Sequence, residues 1–235
     1  VPAEHISVDY FGAFAVRLAE LSGVSPRQDP PLVGIMSNGT SGNINNIDFL
    51  HPRPPRAPYE QIRLVAEDVA AEAQRVFHTL TFRDDVALDA RQSRLTLKRR
   101  LPTADELAEA RRILAAGVGM PLTTLPEIHA HDTVLMAEWP AEVETVVQVL
   151  RCGKLAIAAL PCEVFVETGL LIKQHSPLPA TFVISLANDY AGYLPTPEHH
   201  RLDGYETWRA RSSCLEVNAE PMPRGRVLEL MAALA

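Results

Sequence analysis

Short apolar, β-branched runs interleave with longer amphipathic segments along this sequence, and no internal repeat or low-complexity segment interrupts them, which predicts an α/β or α+β fold. Residues 7–21 place Val8, Phe11, Phe14, Ala15 and Leu18 at helical spacing, so a helix is expected there, ended by Gly23. Residues 26–31 read as a loop. Residues 32–36 form a short apolar run, consistent with a buried strand. It leads into the polar turn Ser37-Asn38-Gly39-Thr40-Ser41-Gly42-Asn43. Strand-to-loop junctions of this kind commonly carry sites in α/β folds.

Four prolines between residues 52 and 58 exclude regular helix or central strand. Residues 59–80 read as a long amphipathic helix. Residues 93–99 alternate Leu95 and Leu97 with Thr96 and Lys98, the pattern of a half-buried strand. Thr103-x-x-Glu106 is a capping box that opens a helix through about residue 116, and residues 117–126 break it. Residues 142–150 and 154–160, joined through Cys152-Gly153, read as a hairpin with a short turn. Residues 163–175 read as helix, 181–186 as a buried strand, 188–196 as a loop and 226–234 as a final helix.

A chain of 235 residues suits one large domain or two small ones. We read one domain over residues 1–235. Its 47% hydrophobic and 22% charged residues are those of an ordinary soluble globular protein. A formal net charge of -7 weighs against nucleic-acid binding, which normally shows a concentrated basic surface. The one basic cluster, Lys98-Arg99-Arg100, reads as a solvated strand end rather than a phosphate site. No apolar run reaches the roughly 18 to 20 residues that span a bilayer, and no signal peptide is visible. The chain begins with Val1 rather than Met, so its natural start is expected upstream, and no compartment is assigned. Cys152, Cys162 and Cys214 form no C-x-x-C pair, which excludes a four-thiolate zinc site and favours buried free thiols.

Three polar loops follow apolar strands: residues 37–46, the turn Pro161-Cys162-Glu163, and residues 188–193. Taken singly their residues are ordinary. Glu163 opens a helix and complements its dipole. Tyr193 reads as a packed aromatic, and Ser41 as turn chemistry. The weight shifts when they are read together. Ala-Asn-Asp-Tyr-Ala-Gly-Tyr-Leu-Pro-Thr-Pro-Glu at residues 187–198, followed by Gly204-Tyr205-Glu206, resembles a segment of the neutral/alkaline, non-lysosomal ceramidase family. That segment has an Asn, two tyrosines three apart, a Thr, a Glu and then a Tyr-Glu pair. Upstream, Leu160-Pro161-Cys162-Glu163-Val164-Phe165 is similar to the family's Pro-Gly-Glu-Phe turn. Ser37–Asn43 stands where the family has its serine loop, and Ile6-Ser7-Val8-Asp9-Tyr10 resembles the helix start before that loop.

The resemblance implies an α/β fold with mixed sheet or sheets flanked by helices, of which this chain is the later part. It implies hydrolysis of N-acyl sphingoid-type amides by water activated on zinc. Glu163 and Tyr193 match the family's glutamate and tyrosine metal ligands. The two histidine ligands lie earlier in the family's order, before Ile6, and are expected upstream of this chain. His5 falls too close to the helix start to match either. Tyr205 matches a second active-site tyrosine, expected at the oxyanion. Ser41 is expected to orient substrate or water, and Asn38 and Asn188 to give polar support on the substrate side. The serine loop departs from the family: it reads Gly-Thr-Ser-Gly-Asn where the family has Gly-Asp-Val-Ser-Pro-Asn. That departure favours a same-fold zinc hydrolase acting on a non-lipid amide or ester. A truncated, non-catalytic binding module is the remaining alternative. The pair His129 and His131 would share one face of a strand, but Pro126 and Asp132 point to a solvated loop. His199-His200 is expected at the rim of the site.

Overall fold

A computed structural model describes the whole chain except residues 1, 3, 26, 55, 118–120 and 123. The break expected over residues 117–126 therefore lies partly outside the described residues, as do Val1, Pro26 and Pro55. Where the sequence reading expects one domain, the chain forms two compact units: residues 1–37 with 46–85, and residues 38–45 with 86–235.

The first unit pairs α1 (Asp9–Leu21) with α2 (Glu60–Phe77). Phe14, Ala66 and Ala70 form its core, and Arg17 bridges Glu20 and Glu67 on the outside. Residues 32–36 are not the buried strand expected from their composition. They form no ladder among the described residues, and Val33 and Ile35 are 69% and 79% exposed. An apolar run is read as a strand on the assumption that a neighbour satisfies its backbone, and this unit offers none.

The second unit is built on a four-stranded sheet in the order β1 (Leu88–Lys98), β2 (Glu142–Cys152), β3 (Leu155–Ala159), β5 (Ala180–Ile184). The first three strands are antiparallel, and β3 and β5 are parallel. The sheet is thus mixed, as expected. One face is apolar in register: Leu95 and Leu97 on β1, Val147 and Val149 on β2, Ala156 and Ala158 on β3, Val183 on β5. The helices α5 (Val166–His175) and α7 (Pro221–Ala232) cover it with Ile172, Val227 and Met231. Period-two alternation puts Leu150, Ile157 and Phe182 on the other face, where Leu150 and Phe182 remain more than a third exposed. Glu220 is 2% exposed, and its carboxylate accepts from Thr168 Oγ1 at 2.9 Å and from Arg224 Nε at 2.7 Å. A buried carboxylate needs such partners, and these tie α5 to α7.

Two helices connect β1 and β2: α3 (Ala104–Ala116) and α4 (Leu125–Met136). Thr103 and Glu106 form the expected capping box of α3, and a second box, Thr124 with Glu127, opens α4. The second box marks a helix where the sequence reading has a loop. His129 and His131 consequently stand two apart on a helix, so they do not share a face. The strand past the hairpin turn is followed by β4 (Glu163–Val164), a two-residue strand that precedes α5 where the sequence reads as helix from residue 163. It pairs with β6 (Tyr193–Leu194), and α6 (Pro197–Leu202) follows. No helix among the described residues is long and apolar enough to cross a membrane.

Arg209 Nη1 lies 2.8 Å from Glu106 Oε2. That contact, and then the Thr103 backbone N–H, hold the Glu106 carboxyl down to about 2. The folded value is below the unfolded one of 4.5, so this contribution is present above pH 4.5 and is lost as pH falls towards about 2. The side chain is half-exposed, and solvent screening keeps the pair to about 1 kcal/mol or less. Glu106→Gln preserves the capping box but removes the charge. Its unfolding free energy should fall by that amount near neutrality, and the difference from wild type should vanish in acid titrations of thermal unfolding.

Candidate active site

The site is assembled by three loops at one edge of the second unit. Past β3 the chain runs beside residues 184–193: Leu160 N donates to Ile184 O, Leu186 N to Cys162 O, Ala187 N to Leu160 O and Ala191 N to Pro161 O, all at 2.7–3.0 Å. Glu163 N then donates to Gly192 O at 2.9 Å. These bonds set β4 and β6 parallel, with Glu163 opposite Tyr193 and Val164 opposite Leu194. Opposed residues of a parallel pair project to the same face. Val164 and Leu194 are fully buried below, so Glu163 and Tyr193 are both delivered above. Gly192 makes the approach possible, with φ at +86° and an ideal Cβ position only 2.5 Å from Ser212 O.

The Tyr193 side chain faces the Glu163 carboxylate across the strand pair and lies against Tyr205. The Tyr193 and Tyr205 rings meet edge-to-face, with centroids 6.0 Å apart. Burial first, then the bond to Tyr205 and the Glu163 charge, push the Tyr193 phenol well above its ordinary value. It is therefore a neutral phenol beside the carboxylate. Tyr190 donates its hydroxyl to Glu163 Oε1 at 2.9 Å. Burial and that bond push Tyr190 up to about 12.

The serine loop joins this group through its backbone. Gly42 N donates to Val164 O at 2.8 Å, and Ser185 N donates to Asn38 O at 3.0 Å. Asn38 Nδ2 donates to Ser41 Oγ at 3.0 Å. Asn43 Oδ1 accepts from Val166 N at 2.9 Å, capping a helix whose own N-cap residue, Phe165, has no side chain to offer. Loop and Glu163 strand are thus one fastened unit. Asn188 is placed differently: its side-chain amide donates to Gln148 Oε1 on β2 at 3.4 Å.

The loop carrying Tyr205 is clamped by Arg100. Its guanidinium donates to Thr207 O at 2.9 Å and to Ser213 O at 2.8 Å, and Ser213 Oγ donates to Glu206 O at 2.6 Å. Arg99 lies over the Trp139 ring, 5.0 Å from its centroid. The basic cluster is therefore not a solvated strand end: only Lys98 is exposed, and the two arginines are half-buried structural ties. His199 and His200 lie on α6. His199 packs against the Phe165 ring and shares its Nδ1 with Thr196 Oγ1 at 2.7 Å. His5 bonds Tyr59 in the first unit.

In solved structures, neutral ceramidase from Pseudomonas aeruginosa matches 97% of this chain with a TM-score of 0.65 at 19% identity, over 41% of that chain. A ceramidase complexed with C2 matches 97% with a TM-score of 0.66 at 16% identity, over 42% of that chain. The fold is a ceramidase fold. No family model and no curated protein matches the sequence. The chain spans about two fifths of the length of these ceramidases. Within the ceramidase fold, residues 187–206 supply β6, α6 and the start of the Arg100-clamped loop.

The donor chemistry here fits a zinc ion in part. A carboxylate and a phenol oxygen, side by side in register, are oxygen ligands that zinc accepts, but a zinc site takes four. Among the described residues no group of three or more His, Cys, Asp or Glu side chains is placed to hold a metal.

Gly42 makes a backbone approach as close as that of Gly192, since an ideal Cβ there would stand 2.5 Å from Glu163 O. Gly39, three residues earlier, has nothing within 4 Å. Gly42→Ala should cost about 1–3 kcal/mol in denaturant unfolding through overpacking, whereas Gly39→Ala should be nearly silent. Equal effects would detach the serine loop from the Glu163 strand.

Proposed function

We propose that this chain is the part of a zinc-dependent hydrolase that supplies Glu163 and Tyr193 to the metal and Tyr205 to the reacting amide, acting on an N-acyl amide of the ceramide kind. The observation that carries the reading is the in-register meeting of Glu163 and Tyr193, with Tyr205 at the same hydroxyl. The ceramidase fold over 97% of the chain supports it. The remaining ligands come from outside the described residues, and the family resemblance points to two imidazoles.

Bound there, zinc supplies electrophilic polarisation of the amide carbonyl and acidification of water. The chain's own groups do the rest. Glu163 offers a hard anionic oxygen. Tyr193, neutral without a cation, is a phenol whose proton a nearby cation would loosen. The Tyr205 hydroxyl donates to the amide oxygen as negative charge develops on it, an interaction stronger in the transition state than in the ground state. Asn38 orients the Ser41 hydroxyl by donating to it, leaving the Ser41 proton free to donate onward to substrate or water. Among the described residues Asn38 is the hydrogen-bond partner of the Ser41 hydroxyl, and an amide is no base, so the role of Ser41 is orientation.

A second reading keeps the site and changes the substrate to a non-lipid amide or ester. The Gly-Thr-Ser-Gly-Asn sequence of the serine loop favours it. Fatty-acid release from N-acyl sphingoid bases, compared with hydrolysis of simple amides and esters, separates the two.

In protein carrying the complete ligand set, Glu163→Ala should lose bound zinc and hydrolysis together. Stoichiometric zinc retained in that variant removes Glu163 from the metal. Tyr205→Phe should keep its zinc and lose roughly a hundredfold in turnover. Undiminished turnover dismisses the oxyanion role. The 235-residue chain by itself should bind zinc weakly, and tight one-to-one binding in a calorimetric titration would show that its own residues close the site.

A further inference from the structure

Tyr190 lies just outside the set of residues given roles above, and its placement is hard to explain by packing. Its surface is 54% exposed, so the ring contributes little to the core. Yet the backbone that delivers it is strained. Leu186 and Asn188 take φ of +57° and +71°, a region that a branched Leu side chain in particular avoids. Strain of this kind, heavier at Leu186 than at Asn188, persists where surrounding structure over-determines it. The surrounding bonds do so here. Tyr190 N donates to Asp189 Oδ1 at 2.8 Å, and Ala191 N donates to Pro161 O at 2.7 Å, two residues before Glu163. The result is a hydroxyl set against Glu163 Oε1 at 2.9 Å.

We infer that Tyr190 is a positioning residue for Glu163: its hydroxyl occupies Oε1, fixes the carboxylate rotamer, and leaves a single carboxylate oxygen to face a cation beside Tyr193. The inference rests on the zinc reading of the same site. Its physical basis is general. A metal-binding carboxylate is free to swing between one-oxygen and two-oxygen binding unless a donor holds one oxygen, and such outer donors typically govern metal affinity by roughly ten- to a hundredfold. Glu163 is met by two phenols. Tyr193 comes from the paired strand, and Tyr190 from the turn before it. Tyr193 also reaches Tyr205, whereas the Tyr190 hydroxyl has Glu163 as its hydrogen-bond acceptor.

The test uses protein carrying the complete ligand set and its Tyr190→Phe variant, which keeps the ring and loses only the hydroxyl. Zinc is titrated into each, with side-chain NMR of Glu163 and calorimetry giving the dissociation constant. Thermal unfolding in chelator is the control. The expected result is an unchanged metal-free midpoint with a zinc dissociation constant raised about tenfold. An unchanged dissociation constant in the variant overturns the positioning role. A metal-free variant that melts clearly below wild type assigns the hydroxyl to folding and overturns it as well. Wild-type protein with the complete ligand set showing no zinc-dependent change at Glu163 sinks the metal reading itself, an outcome distinct from the other two.

Discussion

Everything in the candidate site depends on a parallel pair of strands only two residues long. So short a ladder has little stability of its own. It holds because the chain on either side is already fastened: Pro161 to Ala191, Cys162 to Leu186, Leu160 to Ile184 and Ala187. The register follows from those bonds, and a slip of one residue would turn Glu163 or Tyr193 into the core and bring Val164 or Leu194 out of it. The full burial of Val164 and Leu194 is therefore part of what aims the carboxylate and the phenol. Two glycines permit the arrangement. Gly192 lets β6 pass Ser212, and Gly42 lets the serine loop lie on the Glu163 backbone.

The electrostatic state of the group follows from the same crowding. The Glu163 carboxylate sits among phenols, and among the described residues no arginine or lysine is hydrogen-bonded to it. Burial and the Glu163 charge both raise the phenols, so Tyr190 and Tyr193 keep their protons, and Tyr190 donates its own to Glu163. The Glu163 carboxyl is thus held in place by a hydrogen bond from a neighbouring phenol rather than by an ion pair among the described residues. The positive groups nearby are spent elsewhere: Arg100 on the carbonyls of the Tyr205 loop, Arg99 on Trp139 and on the Pro140 and Glu142 carbonyls.

Much of the fold is legible in the sequence wherever local physics decides it. The Thr103 capping box, the hairpin through Gly153 and the alternation of Leu95 and Leu97 all stand where their patterns place them. Reading failed where long-range partners decide. Residues 32–36 have a strand's composition without a strand's neighbour. The α4 helix hides behind Pro126, which is tolerated in its first turn, and its own capping box was the available signal. The strand β4 exists only because β6 lies beside it, so no local pattern announces it. In the site, Glu163, Tyr193 and Tyr205 are legible through a spaced motif, and the structure brings the three together. Ser41 and Asn38 join them through the backbone of their loop, while the Asn188 amide is engaged with Gln148. Tyr190, Asn43 and Arg100 were not legible, because each acts on a residue far along the chain. Their distant partners, Glu163, Val166 and Ser213, become neighbours only after folding.

The claim that the rest depends on is that Glu163 and Tyr193 share one cation. X-ray diffraction from zinc-soaked crystals, collected on both sides of the zinc absorption edge, tests it most directly. The account predicts an anomalous peak bonded to both the Glu163 carboxylate and the Tyr193 hydroxyl oxygen. A peak bonded to other side chains, with neither Glu163 nor Tyr193 touching it, would contradict it.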